Sequence, residues 1–92
     1  MKSKTKEVDF NILRIIKKSK GNGRLWVCGE DYYRDILNLD REMGTEYVYY
    51  SHFGTRSILD IPVQIGHEKI GHDEIILLNQ TELNIIKRQN DN

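Results

Sequence analysis

Two histidines and two carboxylates in the segment GHEKIGHD, residues 66–73, are the clearest candidates for chemistry in this chain. His67 and His72 lie close enough in sequence to meet across a turn, with Glu68 or Asp73 beside them. Zinc takes three or four ligands of matched type, and structural zinc sites usually use pairs of cysteines. No cysteine lies nearby, and the histidines lack the spacing that places two ligands on one face of a helix. We therefore expect solvated residues that turn a hairpin between two strands, and no metal site.

Cys28 and His52 are the candidate pair for nucleophilic catalysis. Cys28 ends the apolar run RLWVC, where a thiol usually behaves as a small buried hydrophobe. Glu30 and Asp31 follow it closely, and nearby carboxylates raise the pKa of a thiol, which disfavours the reactive thiolate. The pattern predicts a structural cysteine. A single cysteine forms no internal disulfide, which fits a reducing, cytoplasmic compartment.

The remaining chemical motifs indicate surface charge. Carboxylates in EDYYRD and LDREMGTE recur at helical spacing, as they do on a solvated helix face. The segment GNGR lacks the downstream GK[ST] that completes a phosphate-binding loop. We therefore expect a non-enzymatic protein that has no catalytic residues and binds no cofactor.

Composition limits the size of the fold. The 92 residues carry no net charge, and 30% of them are charged and 38% are hydrophobic. This composition is typical of a globular protein with one modest core, so we expect a single domain over residues 1–92, frayed at 1–5 and 89–92. No apolar run approaches the roughly 20 residues that span a bilayer, and no signal peptide follows the basic first residues. The sequence therefore predicts no membrane partner.

Three segments have the apolar spacing of a helix. VDFNILRIIKKSKGNG repeats apolar residues at i, i+4, i+7 and i+8 and ends at its Gly-Asn-Gly. EDYYRDILNLDREMG starts with acidic residues, which suit the positive end of a helix, and ends at Gly44. QTELNIIKRQ follows a capping box made by Asn79 and Glu82. The predicted apolar faces are Val8, Ile12, Ile15 and Ile16 in the first helix, Tyr32, Ile36, Leu39 and Met43 in the second, and Leu83 and Ile86 in the third.

Four segments are predicted as strands. RLWVCG is a short buried strand, and EYVYYSHF and SILDIPVQI alternate with period two. Pro62 lacks an N–H, so its strand should lie at a sheet edge there or pair on one side only. DEIILLN is apolar on both faces, which favours a central strand. The order α-β-α-β-β-β-α predicts an α+β fold, with a mainly antiparallel sheet covered by helices. The expected sheet core is Leu59, Ile61, Val63, Ile65 and residues 75–78.

Charge is unevenly spread along the chain. Residues 2–24 carry eight basic and two acidic side chains, a net charge of +6, and residues 25–50 carry two basic and six acidic ones, a net charge of −4. A basic segment on a neutral protein is either a weak nucleic-acid footprint or the solvated face of a helix. The alternative nucleic-acid-binding residues are Lys17, Lys18, Lys20 and Arg24.

All five tyrosines lie within residues 32–50, close to Trp26 and Phe53. A sheet and its covering helix bury only one face of each, so some of these phenols should be exposed. Exposed aromatic side chains are enriched at recognition surfaces, although they also line the rim of a small core with their hydroxyls in water. The candidate protein-binding residues are Tyr32, Tyr33, Tyr47, Tyr49, Tyr50 and His52.

The segment LWVCGEDYYRDILNLDREMGTEYVYY, followed by ILDIPVQI and DEIILLN, resembles a subdomain of tailed-phage major capsid proteins and encapsulin shells. In those proteins a strand and a helix lead to a D-x-x-G-x-Y stretch, then to ILGIPV and a short strand. Asp40 and Gly44 match the D-x-x-G-x-Y stretch near the end of the helix. Pro62 and Val63 match the Pro-Val pair of ILGIPV, and Asp60 stands where those proteins usually have glycine. The resemblance covers residues 25–79 and implies a small phage- or prophage-encoded protein of similar topology.

These observations lead to one functional hypothesis and two alternatives. We expect a non-enzymatic protein–protein interaction module, for example a phage- or prophage-encoded inhibitor of a host protein. The alternatives are a nucleic-acid-binding accessory protein that uses the basic N-terminal helix, and a small capsid-like structural protein.

Overall fold

The computed structural model describes residues 8–21 and 23–90. The elements are α1 (Phe10–Ser19), β1 (Gly23–Cys28), α2 (Glu30–Met43), β2 (Val48–Tyr50), β3 (Arg56–Ile58), β4 (Ile61–Ile65), β5 (Ile75–Asn79) and α3 (Gln80–Asn90). The strands form one sheet in the order β2-β3-β4-β1-β5, in which β1 and β4 are parallel and the other neighbours are antiparallel. The predicted α+β class with a mainly antiparallel sheet is confirmed, and the sheet has one strand more than predicted.

The two ends of the chain were predicted to fray. Residues 1–5 and 91–92 lie outside the described residues, as does Asn22 of the predicted Gly-Asn-Gly stop. α3 continues through Asn90, into the tail for which fraying was predicted. Gly21 adopts the positive φ of 67° expected after α1.

Both predicted long helices form, but α1 presents a different face to the sheet. Its buried residues are Phe10 and Leu13, and Ile16 packs partly against the core. Of the predicted stripe, Val8 and Ile16 pack against the core, but Ile12 is exposed and Ile15 is 67% exposed, so the prediction was wrong for these two residues. α1 has apolar side chains around much of its circumference, so spacing alone did not determine which of them faces the sheet.

α2 matches its predicted face over most of its length. Tyr32 and Ile36 are buried, and Gly44 ends the helix in the left-handed conformation at φ 69°. Met43 is exposed, and the buried residue in the last turn is Asp40. A carboxylate inside the protein needs hydrogen-bond donors, which the chain after α2 supplies.

The core lies between one face of the sheet and the helices α1 and α2. Trp26 and Cys28 of β1 point to this face, and the strand register places Leu77 of β5 beside Trp26. Burial raises the pKa of the Cys28 thiol to about 11. The buried core cluster is Phe10, Leu13, Trp26, Cys28, Tyr32, Ile36, Ile58, Ile61 and Leu77.

The opposite face of the sheet lies beneath α3. The predicted capping box starts this helix, since Asn79 N donates to Glu82 Oε1 and Glu82 N donates to Asn79 Oδ1, both at 2.9 Å. Lys20 at the end of α1 adds an ion pair to Glu82 at 3.1 Å. Leu83 and Ile86 of α3 are half-buried on this side. Among the described residues, no helix has the length and apolar character needed to cross a membrane.

The segment SILDIPVQI is two strands rather than the single predicted one. Leu59 and Asp60 have φ values of 50° and 67° and connect β3 to β4 as a tight hairpin. Positive φ at both central residues is typical of a type I′ turn, which normally uses Asn and Gly. The usual turn residues are missing here, so the alternating pattern concealed the turn. Pro62 pairs with β3 only, through Ser57, as one of the two predicted arrangements required.

The segment GHEKIGHD does not form the predicted hairpin, because β1 lies between β4 and β5 in the sheet. Residues 66–74 instead cross the end of β1 and the start of α2. Gly29 N donates to Glu74 O and Tyr32 N donates to His72 O, both at 3.0 Å. The crossing segment therefore satisfies backbone donors that the first turn of α2 leaves open.

DEIILLN forms the edge strand β5, whereas a central strand was predicted. Its inner face contributes Leu77 to the core, and on its outer face Leu78 is buried and Ile76 is 41% exposed. An apolar run on both faces indicates cover from helices on both sides of a sheet. It does not indicate a hydrogen-bonded neighbour at both edges. Of the expected sheet core, Ile61, Leu77 and Leu78 are buried, while the other residues are partly buried or, like Ile76, exposed.

Neighbouring substitutions in β5 distinguish the two faces. We expect Leu77→Asp to lower the free energy of unfolding by about 3–5 kcal/mol, because it places an unpaired carboxylate in the core. Ile76→Asp should lower it by about 1 kcal/mol, since this side chain already contacts solvent. Urea denaturation followed by tryptophan fluorescence measures both values. Equal losses would contradict the assignment of the two faces.

Gly29 tests the crossing segment. A Cβ at this position would lie inside van der Waals contact of the Gly71 and His72 carbonyl oxygens. Gly29→Ala should therefore lower the free energy of unfolding by about 2 kcal/mol. Gly71→Ala is the matched control, because its Cβ meets only the flexible Glu74 side chain, at 3.1 Å. The control should cost about 0.5 kcal/mol. Thermal denaturation of both variants checks the difference, and a harmless Gly29→Ala would argue against the crossing.

Candidate protein-interaction surface

Two of the six candidate binding residues belong to the core. Tyr32 is 3% exposed, and burial raises the pKa of its phenol to about 12. Tyr47 is half-buried, with its ring edge-on to Phe10 at a centroid distance of 4.9 Å. Arg14 of α1 lies over the same ring at 4.7 Å. These two tyrosines pack between α1, α2 and the start of β2, so they are part of the packing inside the protein.

The exposed aromatic side chains lie on β2 and in the turn that joins it to β3, and we call this β2–β3 hairpin the aromatic hairpin (residues 48–58). Tyr49 and Tyr50 are each 59% exposed, on opposite faces of β2, and His52 is exposed in the turn. Phe53 is 95% exposed at the tip. Sequence reasoning missed Phe53 as a candidate, because it placed this residue inside a long strand rather than in a turn.

Ser51 makes the turn that exposes Phe53. Its hydroxyl accepts hydrogen bonds from Phe53 N at 3.2 Å and Thr55 N at 3.1 Å, and its own N–H donates to Thr55 O at 2.8 Å. β2 is therefore three residues long instead of the eight predicted. A serine whose hydroxyl bonds the following backbone is a turn signal, and it was present in the sequence.

Arg56 occupies the centre of an aromatic stack beside the hairpin. Its guanidinium lies 5.0 Å from the centre of the Tyr50 ring and 5.6 Å from that of Tyr33 on α2. Cations at these distances are attracted by the ring faces. Burial raises the pKa of Tyr33, while the charge of Arg56 and its hydrogen bond to the phenol act in the opposite direction. The stack connects α2 to the hairpin.

A concave surface adjoins this stack. It encloses about 530 Å³ and is lined by Glu30, Tyr33, Arg34, Arg56 and Ile65. Arg34 pairs with Asp31 at 2.7 Å. Arg56 lines this cavity and is paired with Tyr50 across the aromatic hairpin, so the cavity adjoins the hairpin at this residue.

Buried Asp40 fixes the point at which the chain enters the hairpin. Its carboxylate accepts hydrogen bonds from Tyr47 N at 2.9 Å, Val48 N at 3.3 Å and the Thr45 hydroxyl. Thr45 and Tyr47 belong to the connection between α2 and β2, which has no regular structure of its own, and Val48 is the first residue of β2. One carboxylate in the last turn of α2 therefore orients the whole edge of the sheet.

The hydrogen bonds to Asp40 also affect whether the edge strand β2 can accept another strand. Partners that add a strand to a sheet need a row of open backbone groups along its edge strand. β2 offers only three residues, and the N–H of Val48 is already bound by Asp40. β2 is therefore a poor template for the addition of another strand.

The side chains predicted as an alternative nucleic-acid surface are Lys17, Lys18, Lys20 and Arg24. The structure places Lys17 inside a tertiary contact, since its ammonium donates to the carbonyl of Leu59 at 3.1 Å. Lys20 is held in its ion pair with Glu82. Lys18 and Arg24 are exposed. Two of the four charges thus stabilise the fold.

A second cavity lies on the α3 side of the sheet. It encloses about 470 Å³ between α3 and residues 67–70, above an apolar floor that includes Leu25 and Ile76. His67 lines this cavity, and its Nδ1 accepts a hydrogen bond from Lys69 N at 3.0 Å, so the imidazole shapes its own turn. Within residues 8–21 and 23–90, no three His, Cys, Asp or Glu side chains come close enough together to hold a metal ion.

Comparison of the chain with protein-family models, with curated protein sequences and with solved structures found no match.

Asp40 supplies a direct test of how the surface is positioned. Asp40→Ala should lower the free energy of unfolding by about 3 kcal/mol, because it leaves two backbone N–H groups and a hydroxyl without their acceptor. Asp35→Ala, an exposed site on the same helix, should cost about 0.5 kcal/mol. Chemical denaturation measures both values. Amide hydrogen exchange adds a local check, since Asp40→Ala should speed exchange at Tyr47 and Val48 before it affects β1. Equal losses of unfolding free energy in Asp40→Ala and Asp35→Ala would contradict the role of Asp40 in holding the start of β2.

Proposed function

We propose that this protein is a non-enzymatic protein–protein interaction module that contacts its partner through the aromatic hairpin and the adjoining cavity. The supporting observation is that Tyr49, Tyr50 and Phe53 are all largely exposed on one short hairpin, and Tyr50 lies on the face that carries Arg56. Large apolar side chains that find no cover in their own chain are typical of surfaces that a partner covers.

Phe53 supplies the clearest energetic reason for expecting a partner at this hairpin. A phenyl ring that is 95% exposed leaves nearly all of its apolar surface in water. Transferring a side chain of this kind from water to a protein interior is worth about 1.5–3 kcal/mol. The ring stands at the tip of a hairpin whose turn is held by the Ser51 hydroxyl, so a partner pocket receives it with little further ordering.

The residues behind the tip suit an interface core. Tyrosine and arginine dominate the binding energy of many protein interfaces, because they bring large contact areas and hydrogen-bonding groups together. Tyr33, Tyr50 and Arg56 are already stacked against one another. Such a preorganised set loses little rotamer entropy when a partner binds.

A protein partner suits the charge pattern better than a nucleic acid does. Single-stranded nucleic acids bind aromatic platforms that are accompanied by a positively charged groove. Beside the hairpin, Arg34 is paired with Asp31, and Glu30 lines the same cavity. On α1 the ammonium groups of Lys17 and Lys20 are occupied by internal contacts.

Photo-crosslinking at the hairpin tip tests the proposal. A photoreactive phenylalanine analogue at position 53 should capture a specific protein from bacterial lysate, in equal yield with and without nuclease. The same analogue at position 15 is the matched control, because Ile15 is an exposed apolar residue on a different surface. Crosslinking from position 15 alone, or nuclease-sensitive capture from position 53, would contradict the proposal.

Binding measurements with the captured protein then identify the anchors. Phe53→Ser and Tyr50→Ala should each weaken binding by about 2 kcal/mol, roughly thirtyfold, as truncation of an interface anchor does. Ile15→Ser should leave affinity unchanged. Lys18→Ala and Arg24→Ala together should change the association rate and its salt dependence more than the affinity. If the affinity falls steeply with salt and is unchanged in Phe53→Ser and Tyr50→Ala, the result would contradict the protein-interaction proposal and favour nucleic-acid binding.

A further inference from the structure

We infer that the cavity beside the aromatic stack binds the carboxylate of an Asp or Glu side chain from the partner protein, with Arg56 as its principal donor. This inference rests on the proposed function, since it names the chemistry that the partner presents next to the hairpin.

The first reason is the state of the Arg56 guanidinium. Its central carbon lies over the Tyr50 ring at 5.0 Å and over the Tyr33 ring at 5.6 Å from the ring centroids. Among the residues that the structure describes, no carboxylate forms an ion pair with it. A guanidinium has five N–H donors in one plane, and contacts with ring faces do not use them as hydrogen-bond donors to a carboxylate.

The second reason is geometric. Stacking fixes the plane of the guanidinium, which otherwise samples many rotamers at the end of a flexible side chain. A fixed guanidinium edge matches the two oxygens of a carboxylate in a bidentate arrangement. Arg56 lines the cavity of about 530 Å³ together with Tyr33, and this volume is ample for one acidic side chain.

The third reason is the Tyr33 hydroxyl. Burial raises the pKa of this phenol, so it stays protonated at neutral pH. Tyr33 lines the cavity together with Arg56, and a protonated phenol can donate a hydrogen bond to an acceptor there. A carboxylate oxygen in the cavity is an acceptor of the right kind.

The charge around the cavity favours a single negative charge. The charged side chains that line the cavity are Glu30, Arg34 and Arg56, which carry a net charge of +1, and Arg34 also pairs with Asp31 at 2.7 Å. Among the described residues, Arg56 forms no ion pair with a carboxylate. A dianionic group such as a phosphate ester would be repelled more strongly by Glu30 than a carboxylate is.

A titration with small probes tests this chemistry without the partner. The probes are the N-acetyl, N′-methylamide derivatives of glutamate and of glutamine, which differ chiefly in the carboxylate. We expect the glutamate probe to shift the Arg56 Nε–H resonance and the Tyr33 amide in a saturable way, with a millimolar dissociation constant. The glutamine probe at the same ionic strength should shift neither.

Variants identify the donor. Arg56→Gln should abolish the saturable shift of Tyr33, while Arg56→Lys, which keeps the charge and loses the fork, should weaken binding by about tenfold. Arg41→Gln, which removes an exposed arginine that does not line the cavity, should change the affinity by less than about twofold. The buried Trp26 indole resonance reports whether each variant keeps its fold.

The possible results separate the two proposals. Equal shifts from both probes, shifts that never saturate, or binding that survives Arg56→Gln would overturn the carboxylate site. Phe53→Ser should leave the titration unchanged, since Phe53 does not line the cavity. Failure of crosslinking from position 53 with a successful titration would therefore overturn the role of the hairpin and leave the chemistry of the cavity standing.

Discussion

Two hydrogen bonds to consecutive carbonyl groups hold the turn on which the rest of the structure depends. Trp26 Nε1 donates to Ile58 O at 3.0 Å, and Lys17 Nζ donates to Leu59 O at 3.1 Å. The turn places Leu59 and Asp60 at positive φ, which costs roughly 1–2 kcal/mol for each residue that carries a side chain. The indole is fully buried, so without the Ile58 carbonyl its N–H would be left unsatisfied inside the protein. The core and the turn therefore stabilise each other.

The surface at the edge of the sheet follows from this turn. Reversal of the chain at Leu59 and Asp60 makes β3 a separate strand, which pairs with β4 on one side and β2 on the other. β3 then brings Arg56 next to Tyr33 of α2. A continuous strand in place of β3 and β4 would carry Arg56 past the end of the sheet. Asp40 fixes the other end of the same hairpin, so both of its connections are determined by buried polar contacts.

The two sides of the sheet perform different tasks. The side beneath α1 and α2 contains the aromatic and aliphatic core, including Trp26 and Cys28, and the raised pKa of the Cys28 thiol reflects its removal from water. The side beneath α3 retains a cavity, and Ile76 within it remains partly exposed. The crossing segment at residues 66–74 joins the two sides by bonding the first turn of α2. The aromatic hairpin lies at the opposite edge from β5, away from these packing constraints.

Local interactions determined what the sequence by itself predicted correctly. The helices and strands that define the α+β class, the αL glycine after α2 and the capping box of Asn79 and Glu82 all depend on residues within a few positions of one another. Strand order, the exposed side of α1 and the turn at Leu59 depend on contacts between distant segments. The Lys17 contact joins residues 42 positions apart, and the Trp26 contact joins residues 32 apart. Apolar spacing shows that a side chain has a neighbour to pack against but not which neighbour, so only the tertiary structure decided that Phe53 and Arg56 meet solvent while Tyr32 does not.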